Sequence, residues 1–339
     1  MQENKHSINE DVENTELRSD FPLENITSTT LNPPDSCFAL SGSSTSTSST
    51  ISSSSTPSTS ESWDLIIKPK RKLLDLNLRE LIKYRDLLWL WVRREYVGAY
   101  KQTILGPLWH FISPIFSTLT YMLIFGRIAK LSTDGVPMFL FYNAGIAIWN
   151  FFNGCFSSSS GAFLNNAGIF GKVYFPRLIM PMASIVSALI KFGIQISLFI
   201  VVYLYMIIAK DYHPVVGWGL LYVPLSLILC AGIGFGFGII VSSITTKYRD
   251  LSQLVGFGMN LLMYATPIIY AFGTASPELK PWLELNPLVA PIESFKYAFF
   301  GTGSFDLFGL LYSFSVMCVL MFVGLILFNR AERNFMDIV

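Results

Sequence analysis

The sequence predicts an all-α membrane protein: six transmembrane helices preceded by an amphipathic interfacial helix, with an external re-entrant helical hairpin between helices five and six. Three observations carry that prediction. Hydrophobic residues make up 52% of the 339, charged residues only 14%, and mean hydropathy is +0.48, well to the apolar side of the roughly 25% charged balance of soluble chains. Six apolar blocks, at 107–128, 137–160, 178–208, 216–244, 253–272 and 306–328, each come near the ~20 residues that cross a bilayer. A helix-period stripe of apolar residues runs directly into the first block.

Taken in order, residues 1–62 are polar, and eighteen of the twenty-two residues in 41–62 are Ser or Thr. That composition buries too little apolar surface to offset ordering entropy, so it reads as a disordered extension. Residues 63–75 form a basic connector, with KPKRK at 68–72 where anionic headgroups would sit. The membrane domain is expected over 76–339. No charged-then-apolar signal peptide opens the chain, so insertion is expected to use the internal spans.

The interfacial helix starts at a cap expected from Asn77 and Glu80. Leu78, Leu81, Ile82, Leu88, Trp89, Val92 and Tyr96 share one face; Arg79, Lys83, Asp86, Arg93 and Arg94 share another, with Arg85 intruding on the stripe. An apolar face with Trp and Leu opposite a basic one describes a helix lying in a membrane interface. Gly106-Pro107 breaks it from the first span. The third and fourth blocks are long enough to tilt or to extend into the interface. Between the fifth and sixth, residues 273–305 are cut by Pro277, Pro281, Pro287 and Pro291 into two short pieces, the second Val289 to Phe300 with Glu293 and Lys296 on one face. That length fits a hairpin that enters the membrane and returns.

Lys and Arg counts set the orientation. With the amino terminus inside, sixteen basic residues from Lys68 onward face the cytoplasm and five (Arg127, Lys130, Lys210, Lys280, Lys296) face out, so both termini are expected to be cytoplasmic. Within the third span Ser184, Ser187, Lys191 and Gln195 form a polar stripe, which either contacts cargo or pairs with a carbonyl or another span. In the fourth, GIGFGFG at 232–238 gives the pairs Gly232/Gly236 and Gly234/Gly238, the pattern of close helix packing.

Catalytic signatures are absent. The nearest string to a phosphate loop, GIFGK at 168–172, has the wrong spacing and no hydroxyl residue after its lysine. No paired carboxylates occupy a span, which argues against proton relay and hydrolytic chemistry. The four cysteines are scattered, with neither a disulfide framework nor a zinc spacing. A net charge of +1 without a basic run outside the juxtamembrane stretch gives no footprint for nucleic acid.

Several strings, in order, resemble the type-2 ATP-binding-cassette exporter permeases. YKQTILGPLW at 100–109 resembles their junction of interfacial helix and first span, and KVYFPRLIMPMASIVSALIKF at 172–192 their second cytoplasmic loop and third span. TTKYRDL at 245–251, LMYATPIIY at 262–270, LNPLVAPIESFKYAFFG at 285–301 and the final AERNFMDIV continue the series. The set resembles most the polysaccharide exporters for O-antigen, capsule or teichoic acid, O-antigen first. The Ser/Thr-rich extension departs from that pattern.

The resemblance implies a homodimer in the bacterial inner membrane, working with two copies of a separate ATPase that holds the ATP and magnesium, so that this chain is no enzyme and binds no cofactor. It implies an ATPase-coupling loop at 161–178 with Lys172, Tyr174, Phe175, Pro176 and Arg177, and secondary contacts at Tyr248, Arg249 and Asp250. Lipid-linked pyrophosphate would enter beside the interfacial helix, where Arg93, Arg94 and Lys101 supply either its cationic donors or an attraction for anionic lipid. A glycan conduit would draw on Trp109, Phe116, Tyr121, Phe125, Tyr264 and Tyr270, whose alternative is ordinary interface and lipid contact. The rival classes are a secondary transporter, for which no two-fold hydropathy repeat is present, and a membrane-bound glycosyl-transferring enzyme.

Overall fold

Helices account for all the regular structure among the described residues. The computed structural model describes residues 84–101, 104–170, 178–210, 212, 218–248, 250–303 and 305–338. The extension at 1–62, the connector at 63–75 and the cap and first turns expected over 76–83 lie outside the described residues. In chain order the helices are α1 (Arg85–Tyr100), α2 (Trp109–Tyr121), α3 (Met138–Ser160), α4 (Ala162–Phe170), α5 (Ile179–Lys210), α6 (Tyr222–Thr245), α7 (Leu251–Tyr264), α8 (Lys280–Glu284), α9 (Val289–Phe300) and α10 (Leu307–Ile338).

The break expected before the first span is a 3-10 turn over Gly106–Leu108, and Gly106 has φ +46°, a left-handed value that favours glycine. From there α2 runs on through a wider π-helical stretch, Met122–Ile128. Among the described residues four helical stretches are long and apolar enough to cross a membrane: Trp109–Ile128, Ile179–Lys210, Gly219–Thr245 and Leu307–Ala331. The other two expected spans differ for physical reasons. α3 has the length, 23 residues, but Asn143, Asn150, Asn153 and the serines at 157–160 dilute its hydropathy. α7 has only 14 residues, or about 21 Å of rise against a core of about 30 Å.

α3 is the centre of the bundle. Every residue from Leu140 to Trp149 is buried, and α5, α6, α9 and α2 pack around it. The glycine pairs of α6 make the closest of these contacts and serve two neighbours. A methyl on Gly234 would stand 3.0 Å from the Phe152 carbonyl, and one on Gly238 2.8 Å from the Phe156 carbonyl, both on α3. One turn away Gly236 meets Leu320 of α10 at 3.0 Å, and Gly232 meets Met317. Interleaved pairs thus let α6 approach α3 on one side and α10 on the other.

At the far end of the bundle from α1, α7 stops at Tyr264 and the chain continues as non-helical backbone. Ile268, Ile269 and Ala271 of that segment are buried, so its carbonyls need partners inside the protein. The stretch after it provides them. Asn286 Nδ2 donates to Thr266 Oγ1 at 2.9 Å and to the Ala265 carbonyl at 3.4 Å, and Lys296 Nζ donates to the Pro267 carbonyl. Lys296 is 2% exposed. Its charge is balanced by Glu293 Oε1 at 3.6 Å and lies 4.1 Å from the Phe141 ring. The two pieces expected between the prolines are present as α8 and α9, the second with the expected ends. Packing against α3 and the broken end of α7 buries Lys296.

Gly238→Leu should lower the thermal midpoint of the detergent-purified protein by the equivalent of about 1–3 kcal/mol or more, the range for overpacking. Gly193→Ala, where an added methyl meets nothing within 4 Å, should leave it within error.

Candidate functional site

α1 carries the residues expected at the membrane interface, and its packing decides which of them are available. Leu87 and Trp91 pack against a small apolar cluster of Phe163, Met180, Phe235, Ile239 and Phe328, and Val92 is buried. Trp89, on the apolar face read from the sequence, is 61% exposed; contact through Leu87, Trp91 and Val92 turns the helix so that Trp89 and Leu90 point away from the bundle.

One turn beyond Trp91, Glu95 Oε1 lies 3.4 Å from Lys191 Nζ of α5. Lys191 is twelve residues into α5, about 18 Å from its start, a depth at which a lone ammonium costs about 2.5–3.5 kcal/mol on insertion scales. The pair gives Lys191 a partner on another helix. Ser184 Oγ donates to the Met180 carbonyl at 3.1 Å, Lys191 binds Glu95, and Gln195 Oε1 accepts from Asn150 Nδ2 of α3 at 3.3 Å. The stripe faces α1 and α3. Glu95 was the missing partner, and nothing in its local sequence singles it out; the only clue is that an unpaired lysine inside a span requires an acid somewhere.

Beside this pair lies a cleft of about 280 Å³ bounded by α1, α3, α4 and α5. Arg94 lines it, with its guanidinium 4.6 Å from the centre of the Trp91 ring, together with Glu95, whose charge Lys191 balances, and with Ser158, Asn165, Asn166 and Ser184. A guanidinium held by stacking beside amides and hydroxyls can bind a phosphate or carboxylate oxygen with little reorganisation. Of the three expected pyrophosphate donors, Arg94 reaches this cleft, while Arg93 and Lys101 are exposed and do not line it.

The expected conduit aromatics fall into two groups. Trp109, Phe116 (65% exposed) and Tyr264 stand on the surface of the single chain. Tyr121, Phe125 and Tyr270 pack against the main core; Tyr121 meets Phe125 edge-on with ring centres 5.7 Å apart and its hydroxyl donates to Met263 Sδ at 3.6 Å. Tyr121 thus bridges the groups, touching Phe125 and the residue next to Tyr264.

Of the residues expected to couple to an ATPase, Lys172, Tyr174, Phe175, Pro176, Arg177 and Arg249 lie outside the described residues. Tyr248 and Asp250 are exposed beside the end of α6, with Lys247 Nζ 5.0 Å from the Tyr248 ring. The first part of the 161–178 loop is the helix α4. Phe163 of α4 stacks on Phe328 of α10 at 4.6 Å and 29°, and its backbone N–H donates to Ser242 Oγ of α6 at 3.4 Å. Displacement of α4 therefore acts directly on two long helices.

Residues 86–300 match the family model described as ABC-2 type transporter. An O-antigen export system permease protein RfbA of Klebsiella pneumoniae is 30% identical over 255 residues, covering 75% of this chain and 95% of that protein. The RfbA of Myxococcus xanthus is 26% identical over 262 residues, 77% and 98% of the two chains. The polysialic acid transport protein KpsM of Escherichia coli is 23% identical over 230 residues, 68% and 87%.

Lys191→Met leaves Glu95 without its cation and should destabilise the protein by about 1–2 kcal/mol, less than a fully buried pair because both side chains are about a third exposed. Adding Glu95→Gln should recover most of the loss in the thermal midpoint. Equal, additive losses would mean the two groups do not interact.

Proposed function

The chain belongs to the ABC-2 type transporter family, and on that premise we propose that it is the membrane-spanning permease subunit of an ATP-driven exporter of lipid-linked polysaccharide, O-antigen first. The observation that carries this reading is the match along 95–98% of O-antigen export permeases from two bacteria. Capsule or teichoic acid is the runner-up cargo, since the polysialic acid relative is lower in identity and coverage.

The family is one of transporter permeases, not catalytic enzymes, and it implies an ABC ATPase partner and a lipid environment. In our reading two copies of this chain work with two ATPase subunits, which hold ATP and magnesium, in the bacterial inner membrane with both termini cytoplasmic. Each copy crosses six times, α3 and α7 included, and α8 and α9 form the external hairpin. α3 is carried across by the helices around it, and α7 is extended by the buried segment 265–271. Closure of the ATPases presses on 161–178, and α4 passes the push to α6 through Ser242 and to α10 through Phe328. The lipid pyrophosphate enters at the α1 cleft, where Arg94 meets it and Arg93 and Lys101 draw it in from the headgroup layer.

In a strain lacking its own O-antigen permease but supplied with the matching ATPase, this chain should restore surface polysaccharide. Arg177→Glu should abolish that export while the complex keeps hydrolysing ATP. Normal export by Arg177→Glu would remove the 161–178 loop as the coupling element.

A further inference from the structure

The cleft beside α1 is walled in part by the group that neutralises its neighbour. Glu95 lines it and Lys191 does not, yet Lys191 Nζ lies 3.4 Å from Glu95 Oε1. The carboxylate therefore stands between the ammonium and the cleft. Helical side chains lean toward the start of their helix, and the start of α5 supplies Met180, Ala183 and Ser184 to the same cleft. Lys191 thus reaches toward the cavity and is stopped by Glu95.

The chain holds two Lys–Glu pairs inside its helical bundle, and they are built differently. Lys296 and Glu293 are 3% and 5% exposed at the side chain, and Lys296 also donates to the Pro267 carbonyl; separating them would strand a buried charge. Lys191 and Glu95 are 37% and 33% exposed and meet through one oxygen. A partly solvated, singly bonded pair can exchange partners at little cost.

The rest of the cleft is short of anions. Arg94 makes no ion pair among the described residues, and Ser158 Oγ and the Asn165 side-chain amide have no hydrogen-bond partner there. A methyl on Gly98, which also lines the cleft, would meet nothing within 4 Å. With Glu95 in place, Arg94, Lys191 and Glu95 sum to one positive charge; with its carboxylate withdrawn, two cations face a cavity of about 280 Å³. A diphosphate diester carries two negative charges spread over adjacent phosphates, which two cations on separate helices can each contact.

We propose that Lys191 is a second cationic ligand for the cargo's diphosphate and that Glu95 holds its place until the cargo arrives. The entering diphosphate displaces the carboxylate, which turns toward water, and the tie between α1 and α5 passes from Glu95–Lys191 to Arg94–diphosphate–Lys191. A single phosphate is neutralised by Arg94 alone and leaves the pair closed, so the internal carboxylate discriminates against ordinary lipid headgroups. The inference rests on the export reading above and names what selects the cargo at that cleft.

The chain in phosphatidylcholine nanodiscs is titrated by calorimetry with farnesyl diphosphate and farnesyl monophosphate. The wild type should prefer the diphosphate at least tenfold. Glu95→Gln should tighten diphosphate binding at least threefold, because the internal competitor is gone. Lys191→Met should weaken it at least fivefold and reduce the preference for diphosphate by a similar factor. In the double variant the gain from Glu95→Gln should vanish even though the thermal midpoint recovers, a separation that a merely structural lysine would not give. No tightening by Glu95→Gln, or wild-type affinity in Lys191→Met, overturns the proposal. Loss of farnesyl diphosphate binding when phosphatidylglycerol replaces part of the lipid would assign the cleft to a headgroup phosphate and overturns it too. Absence of diphosphate binding by the wild type has the same consequence, whereas the export reading falls only if the chain fails to restore surface polysaccharide in cells.

Discussion

A helix that ends inside a membrane domain must give its last carbonyls a partner, and the end of α7 is where this chain meets that demand. Fourteen residues of α7 are followed by backbone that is buried but not helical. Asn286 satisfies the carbonyl of Ala265 and the hydroxyl of Thr266, and Lys296 satisfies the carbonyl of Pro267. An ammonium at that depth is tolerated only because Glu293 stands beside it and Phe141 presents its ring face. The fixed end of α7, the seat of α9 on α3 and the closure of the bundle at that end all follow from this arrangement.

The rest of α7 is held lightly, and the contrast has functional content. α3 is immobilised by the glycine faces of α6 and cannot yield without disrupting the core. α7, fixed at one end and carrying a polar face toward α3, is the element that can move against it. At the opposite end, α4 ties the start of the 161–178 segment to α6 and α10, and the Glu95–Lys191 pair ties α1 to α5. A force applied at α4 therefore enters through helices joined to a rigid centre, and its effect is largest where the packing is weakest.

Much of this was legible in the chain itself, because local chemistry decided it. Gly106-Pro107 broke the path from α1 to α2, the four prolines of 273–305 delimited α9, and alternate glycines in 232–238 marked the close faces of α6. What stayed hidden depended on contacts distant in sequence. Glu293 and Lys296 read as a pair three residues apart on one helical face, and only the approach of Phe141 and Pro267 shows that the pair is internal. Glu95 looks like one more charge on a basic helix until its partner ninety-six residues away is known. Trp89 fits a helical stripe, but the rotation of α1 is decided by the pocket that accepts Trp91. The polarity of α3 weakened its span signal because its amides and hydroxyls face other helices and a cleft rather than lipid.

Lys296 and Asn286 seal the broken end of α7, and the most direct test of that seal is at Ile269, 2% exposed in the segment they hold. A cysteine placed there, in a Cys37→Ser/Cys318→Ser background, should resist an impermeant maleimide added from outside the cell. Combining it with Lys296→Met and Asn286→Ala should make it react at least tenfold faster. Protection unchanged in the combined variant would mean that something other than the hairpin closes the end of α7, which contradicts the sealing role of both side chains.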